Sequence, residues 1–412
     1  MIPNNWHLSN NFNALDLITT TEVISLTMRV DEILFELGES AENYFGAATP
    51  PLIQSNNFLF KNVADMREAL NHEQDIPFYT RGSNPTTDIL RKKMAALEKT
   101  EDALIFSSGS AAISSAILNQ VKAGDHIICV QKPYSWTAKL LTNLLPRFRV
   151  THTFVEGTVK SFEEALQSNT RLLMLESPNS WTFEMQDLAP IMEFAKANKL
   201  VTIMDNSYAS PLNFNPADYG VDLIAHSSSK YIGGHSDAVS GVLCGSFEKI
   251  REIFQSEFMT LGGVVSPFNS WLLLRGLRTL PIRLQRVAET TPAVVSFLEE
   301  HPKIKQVHYP HAAQHPHHEL AKRYLKNPLG QFSLDLATND IAKVEAFCNA
   351  LQNFKLGCSW GGYESLAFPA ITLYDSMNYS GATVPFTMVR MYVGLESTET
   401  LINDLKQALE YV

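Results

Sequence analysis

One lysine, Lys230, stands among small hydroxyl residues and glycines in the stretch HSSSKYIGGHSD, residues 226–237. A desolvated lysine amine is a nucleophile that forms imines with carbonyl compounds, whereas in a solvated loop the same residue is only a surface charge. Two other features bear on that choice. FSSGSAAISSA places Ser107, Ser108, Gly109 and Ser110 between a strand-like run and an alanine-rich helical one. Amide N–H groups at such a helix start, aided by hydroxyls, form a phosphate cradle; the alternative is an ordinary glycine turn with a serine cap. Asp205 follows VTIM at a strand end, where a carboxylate either holds a proton on a ligand nitrogen or caps the next segment. An anion cradle, a carboxylate and an amine together suit pyridoxal phosphate (PLP), whose phosphate, pyridine nitrogen and aldehyde need those three groups.

Other residues add to the inventory. Tyr134 in QKPYSWT is either a ring-stacking residue or an ordinary core or interface tyrosine. Tyr79 and Arg81 in FYTRGSNPT offer a phenol and a cation to a phosphate, or form a polar turn before a helix started by proline. Arg390 lies within the apolar run VRMYVG and needs an anion, either a substrate carboxylate or an internal partner. Ser359 and Trp360 open a compact turn with Gly361 and Gly362 that can line a pocket or plug a domain boundary. His311, His315, His317 and His318 superficially resemble a metal cluster, but HPHH has no catalytic spacing such as HExxH and its proline-rich setting reads as a surface connection. No metal site is expected.

The elements that must position these residues follow from periodicity. Seven short runs, ALIFSSG, HIICV, THTFV, RLLMLESP, LVTIMDN, VDLIAHSS and SGVLCG, alternate with longer amphipathic ones, the mark of an α/β domain on a mostly parallel sheet. Such sheets bind ligands beyond the carboxyl ends of their strands. TEVISLTMRVDEILFELG predicts a helix within an N-terminal arm over residues 1–60. The large domain is expected over 61–265, and a smaller α+β domain with strands FSLDL, FKLGCSWGG and VRMYVGLE over 266–412.

A chain of 412 residues normally divides into two or three domains. Its net charge of -10 argues against broad nucleic-acid binding. The N-terminus lacks the order of a secretion signal and no run approaches a membrane span, so a cytoplasmic protein is expected. Four cysteines, Cys129, Cys244, Cys348 and Cys358, are widely spaced without a CxxC pair, which fits a reducing compartment.

Over residues 45–412 the motifs YTRGSNPT, FSSG, ESP, DNSYASP, HSSSKYIGGHSD, LRGLRTL, SWGGYESL and VRMYVGLE resemble, in order and spacing, the PLP enzymes of cysteine and methionine metabolism, the transsulfuration family. The resemblance implies fold type I, a large PLP-binding α/β domain with a smaller C-terminal one, assembled as a homotetramer of dimers that share active sites. It implies that Lys230 is the imine-forming lysine and that Asp205 pairs with the pyridine nitrogen. Gly109, Ser110, Ser227 and Ser229 would bind the phosphate, joined by Tyr79 and Arg81 from the neighbouring subunit. Tyr134 would stack on the ring and act with Lys230 in proton transfer, Ser180 would stand where the family pattern has a cofactor-contacting asparagine, and Ser359, Trp360, Tyr79 and Arg390 would contact the amino-acid substrate. ESPNSWTFE and SWGGYESL look most like the bacterial cystathionine β-lyase branch, and neutral Cys358, where several γ-acting members carry glutamate, leans the same way. Cleavage of cystathionine to homocysteine, pyruvate and ammonia is therefore the expectation. Cystathionine γ-lyase or γ-synthase activity is the alternative, then methionine γ-lyase activity, then a catalytically weak protein that retains the fold.

Overall fold

The computed structural model describes residues 28–374 and 384–412. Among them the large sheet has seven strands: β1 (Asp102–Phe106), β2 (His126–Val130), β3 (Thr151–Val155), β4 (Thr170–Glu176), β5 (Val201–Asp205), β6 (Leu223–His226) and β7 (Gly241–Gly245). Their order is β1-β7-β6-β5-β4-β2-β3. The central strands pair in parallel, and β7 runs antiparallel to both β1 and β6. The expected mostly parallel sheet is present, with β7 as its one reversal among these strands.

The strand residues are apolar on both faces because helices cover both sides. Successive side chains alternate: Leu173, Leu175, Met204, Ile224 and Val242 enter one core, while Leu172, Met174, Ile203, Leu223 and Leu243 enter the other. The helix Gly109–Gln120 contributes Ile113 and Ile117 to the second core, and Pro85–Leu97 contributes Leu90 and Met94 to the first. The run SWTAKLLTNLLPRF is helical but changes pitch, with an α segment Ser135–Lys139 followed by π and 3₁₀ turns.

The helix Pro267–Glu299 leaves the large sheet and shares a third core with a second sheet. That sheet joins β8 (Ile304–His308), β9 (Gln331–Leu336), β10 (Lys355–Leu356), β11 (Leu366–Pro369) and β12 (Met388–Tyr392) in the order β10-β11-β12-β9-β8. Phe332, Leu334, Val389 and Met391 meet Phe347 and Leu405 from the helices Ile341–Ala350 and Thr398–Leu409. FKLGCSWGG is a strand only at Lys355–Leu356, because the chain then turns through Gly361 at φ 82. In TEVISLTMRVDEILFELG the helix is Val30–Phe35, and residues 21–27 lie outside the described residues. No helix among the described residues is long and apolar enough to cross a membrane.

Candidate active site

Lys230 sits just past the end of β6, in a tight turn whose backbone is closed by Lys230 N–H to Ser227 O (3.1 Å) and Gly234 N–H to Lys230 O (2.8 Å). Two outside contacts fix that turn. Arg283 of the long helix donates to Tyr231 O at 2.7 Å, and Gly276 lets the helix backbone approach so closely that an added Cβ would lie 2.3 Å from Gly233 O. From the opposite side, Gly361 packs where a Cβ would meet the Tyr231 nitrogen at 2.7 Å. The lysine is therefore gripped between two domains rather than carried on a free loop.

Its amine donates to Ser359 Oγ at 2.8 Å and lies 5.6 Å from the centre of the Trp360 ring. Burial, reinforced by Arg390, lowers its pKa to about 8, against the pull of Cys358 and Asp205. A lysine in this state has a substantial neutral fraction near neutrality, which is what nucleophilic and base chemistry requires. Ser359, Trp360 and Lys230 are thus brought together.

Asp205 and Glu176 end adjacent parallel strands and face each other in register. Burial pushes both carboxyls up, and the Asp205 charge raises Glu176 further through the low-dielectric interior. Asp205 accepts from the Ser207 N–H at 2.9 Å, and His226 and Lys230 nearby favour its ionised form. Glu176 accepts from the Tyr134 N–H at 2.6 Å and from Ser180 Oγ at 2.8 Å. Burial and then the Asp205 charge push Glu176 up to about 8, so it holds a proton near neutrality. Ser180 meets Glu176 by its hydroxyl, a contact that the family pattern did not suggest.

The helix Gly109–Gln120 begins at Ser108, whose hydroxyl accepts from the Ala111 N–H. That cap takes one of the first-turn amides and leaves those of Gly109 and Ser110 at the positive end of the helix. Gly109 abuts the lysine-bearing segment, since a Cβ there would lie 2.9 Å from Ser227 Cα. Ser227 is held by its N–H to Ser207 Oγ at 2.6 Å. Ser229 instead donates its hydroxyl to Ser240 O at 3.1 Å and accepts from the Ser240 N–H at 2.9 Å.

These groups fit PLP on structural grounds. A helix start closed by a glycine cradle suits a phosphate, a buried carboxylate with a protonated neighbour suits a protonated ring nitrogen, and a buried lysine of lowered pKa suits an aldehyde. Gly109, Ser110 and Ser227 would hold the first, Asp205 the second and Lys230 the third. Tyr134 caps the helix Ser135–Lys139 beside this group. Tyr79 and Arg81 lie together on an exposed turn, the guanidinium 5.5 Å from the ring centre, paired with the segment around Asn57.

Arg390 lies on β12 opposite Phe368 of β11. Its Nη2 donates to Cys358 O at 2.9 Å, and the thiol-bearing residue Cys358 is exposed. With the Gln331 amide turned to satisfy its neighbours, its carbonyl accepts from Trp360 Nε1 (3.2 Å) and Arg390 Nε (3.3 Å). Glu176, Gln331 and Trp181 are functional candidates that sequence reasoning did not single out. Glu176 had a signal, a polar strand end beside that of Asp205. Gln331 had none within its own segment.

Two of the four histidines hydrogen-bond to the chain after β4. His317 Nδ1 accepts from the Met185 N–H at 2.7 Å and His315 Nε2 faces Thr182 O at 3.3 Å, so they brace the segment after β4. Burial lowers the pKa of His311 and His315 to about 4, which keeps both neutral.

Known proteins are similar to this chain over nearly its whole length. An L-alanine/L-glutamate racemase of Wolbachia pipientis wMel is 35% identical over 93% of this chain and 97% of its own. An L-methionine γ-lyase of Fusobacterium nucleatum subsp. polymorphum is 33% identical over 90% of this chain and 95% of its own. The crystal structure of cystathionine γ-synthase from Xanthomonas oryzae pv. oryzae, in complex with aminoacrylate and cysteine, superposes with a TM-score of 0.87 at 31% identity, covering 93% of this chain and 98% of that one. The Cys/Met metabolism PLP-dependent enzyme family matches residues 31–410. With the lysine, the paired carboxyls and the glycine cradle in one place, the chain belongs to that family and is a fold-type I enzyme that uses PLP.

Proposed function

We propose that this enzyme removes the α-proton of a sulfur-containing amino acid and then acts at its γ-carbon, as a cystathionine γ-synthase or γ-lyase does. The observation that carries the proton-abstraction step is Lys230: its buried amine of lowered pKa lies 2.8 Å from Ser359 Oγ, on the turn that also reaches Arg390. The γ reading rests on the γ-synthase and γ-lyase similarities, which weigh more than the β-lyase resemblance of ESPNSWTFE and SWGGYESL. Bound PLP supplies an aldehyde for the substrate amine and a ring that takes up the electron pair left at the α-carbon.

The chain's own residues supply the rest. Asp205 would hold the proton on the ring nitrogen, with Glu176 beside it in its protonated form. Gly109, Ser110 and Ser227 fix the phosphate, and Tyr134 and Ser180, tied through Glu176, close the ring's surroundings. Arg390 and Ser359 take the substrate carboxylate, with Trp360 as a pocket wall. Lys230, with its amine free, would be the base at the α-carbon and, for γ-chemistry, at the β-carbon as well. Exposed Phe45, Leu59 and Val63 support assembly with further copies, in which Tyr79 and Arg81 serve a neighbour's site; a monomer at assay concentration contradicts that assembly.

Product analysis tests the choice of bond. L-cystathionine should yield 2-oxobutyrate and cysteine, or an activated homoserine ester with cysteine should yield cystathionine. Pyruvate, homocysteine and ammonia with no 2-oxobutyrate would return the reading to β-cleavage. A second reading, racemisation of a small amino acid, is supported by the Wolbachia similarity; it needs only the α-proton steps, with Lys230 and Tyr134 as proton carriers, and predicts D-alanine or D-glutamate from the L-isomer.

A further inference from the structure

We infer that Trp181 is a positioning residue for the substrate α-carboxylate, acting through Arg390; this rests on the proposal that Arg390 binds that group. The Arg390 guanidinium carbon lies 5.2 Å from the ring centres of both Trp181 and Phe368, and those two rings are 5.3 Å apart. Phe368 comes with the small sheet, as the cross-strand neighbour of Arg390. Trp181 comes from the large domain, on the loop that follows β4, and reaches across to pack on Ala370, Val384 and Met388.

That reach is built at the expense of backbone comfort. Trp181 and Phe183 both sit in the left-handed region, at φ 70 and φ 56, a conformation that non-glycine residues adopt only when their surroundings impose it. The surroundings do so from several sides. Asn179 Oδ1 accepts from the Glu184 N–H at 3.1 Å, Lys132 pairs with Glu184 at 2.9 Å, and His317 accepts from the Met185 N–H at 2.7 Å. The loop is thus fixed at both ends with its indole aimed at the arginine.

A guanidinium is flat, delocalised and weakly hydrated, so an aromatic face holds its plane and displaces water from it. Nη2 is turned to Cys358 O and Nε to Gln331, so the rings and these acceptors together fix the orientation of the fork. A carboxylate then meets a pre-oriented, partly dehydrated cation, and less binding energy is lost in ordering it. Trp181 needs no contact with substrate to do this.

Titration of the PLP-loaded protein with glycine, followed through the cofactor absorbance, tests the inference without cleavage of any carbon–sulfur bond. Trp181→Ala and Trp181→Leu should raise the glycine Kd roughly tenfold, the scale of one desolvated cation–π contact. Trp181→Phe, which keeps an aromatic face, should stay within about twofold of wild type. Glycinamide, lacking the carboxylate, should bind all four proteins alike. Equal weakening of glycine and glycinamide, or wild-type glycine affinity in Trp181→Leu, would overturn the inference. Arg390→Ala separates the two levels: if it weakens glycine while Trp181→Ala does not, only the Trp181 inference fails. If neither variant matters, the assignment of Arg390 fails with it.

Discussion

At the scale of single residues, the chemistry turns on how far the protein shifts one amine. Lys230 has its pKa lowered to about 8 by burial first and by Arg390 second. Only the neutral amine attacks an aldehyde, so the rate at which the PLP-free protein captures added PLP should rise as pH passes upward through about 8 and level off above it. An ordinary lysine would keep gaining rate up to its usual range near 10.4. Stopped-flow absorbance of imine formation across that range decides between them. Arg390→Ala removes the nearby cation and should move the midpoint upward. HSSSKYIGGHSD shows in sequence that the lysine is flanked by small residues. The grip on it comes from Gly276, Arg283 and Gly361, which lie far along the chain and meet it only after folding.

At the scale of elements, strand register does what composition could not announce. β4 and β5 were legible as apolar runs, and Asp205 as a polar strand end, because both are local patterns. Glu176 becomes Asp205's partner only when the two strands align, and its tie to Tyr134 and Ser180 depends on the loops that leave β2 and β4. Replacing Glu176 by Gln preserves an acceptor for the Tyr134 N–H and mimics a protonated acid. Glu176→Ala leaves that donor without its partner and should cost about 1–3 kcal/mol. Denaturant melts of the two variants should therefore differ, with Glu176→Gln near wild type. Equal loss in both would mean that a charged carboxylate is required, against the location of the proton argued above. Trp181 belongs to the same lesson. ESPNSWTFE is readable as a loop after a strand, but that its indole lies on an arginine two hundred residues away is a product of domain packing.

At the scale of the whole molecule, the candidate site is a junction rather than a property of one domain. The large sheet supplies Asp205 and Glu176, the turn after β6 supplies Lys230, and the small domain supplies Ser359, Trp360 and Arg390. The long helix Pro267–Glu299 holds the two parts together through shared cores. On the proposed assignment, cystathionine γ-chemistry, β-cleavage and racemisation would all begin with the same act at this junction, removal of the α-proton by Lys230. The measurement that tests this most directly is exchange of that proton with solvent. L-alanine, which carries no γ-leaving group, is incubated in D₂O with PLP-saturated protein, and deuterium at the α-carbon is read by NMR. Wild type should exchange it and Lys230→Ala should lose nearly all exchange while still binding PLP; exchange that persists in Lys230→Ala would contradict the account.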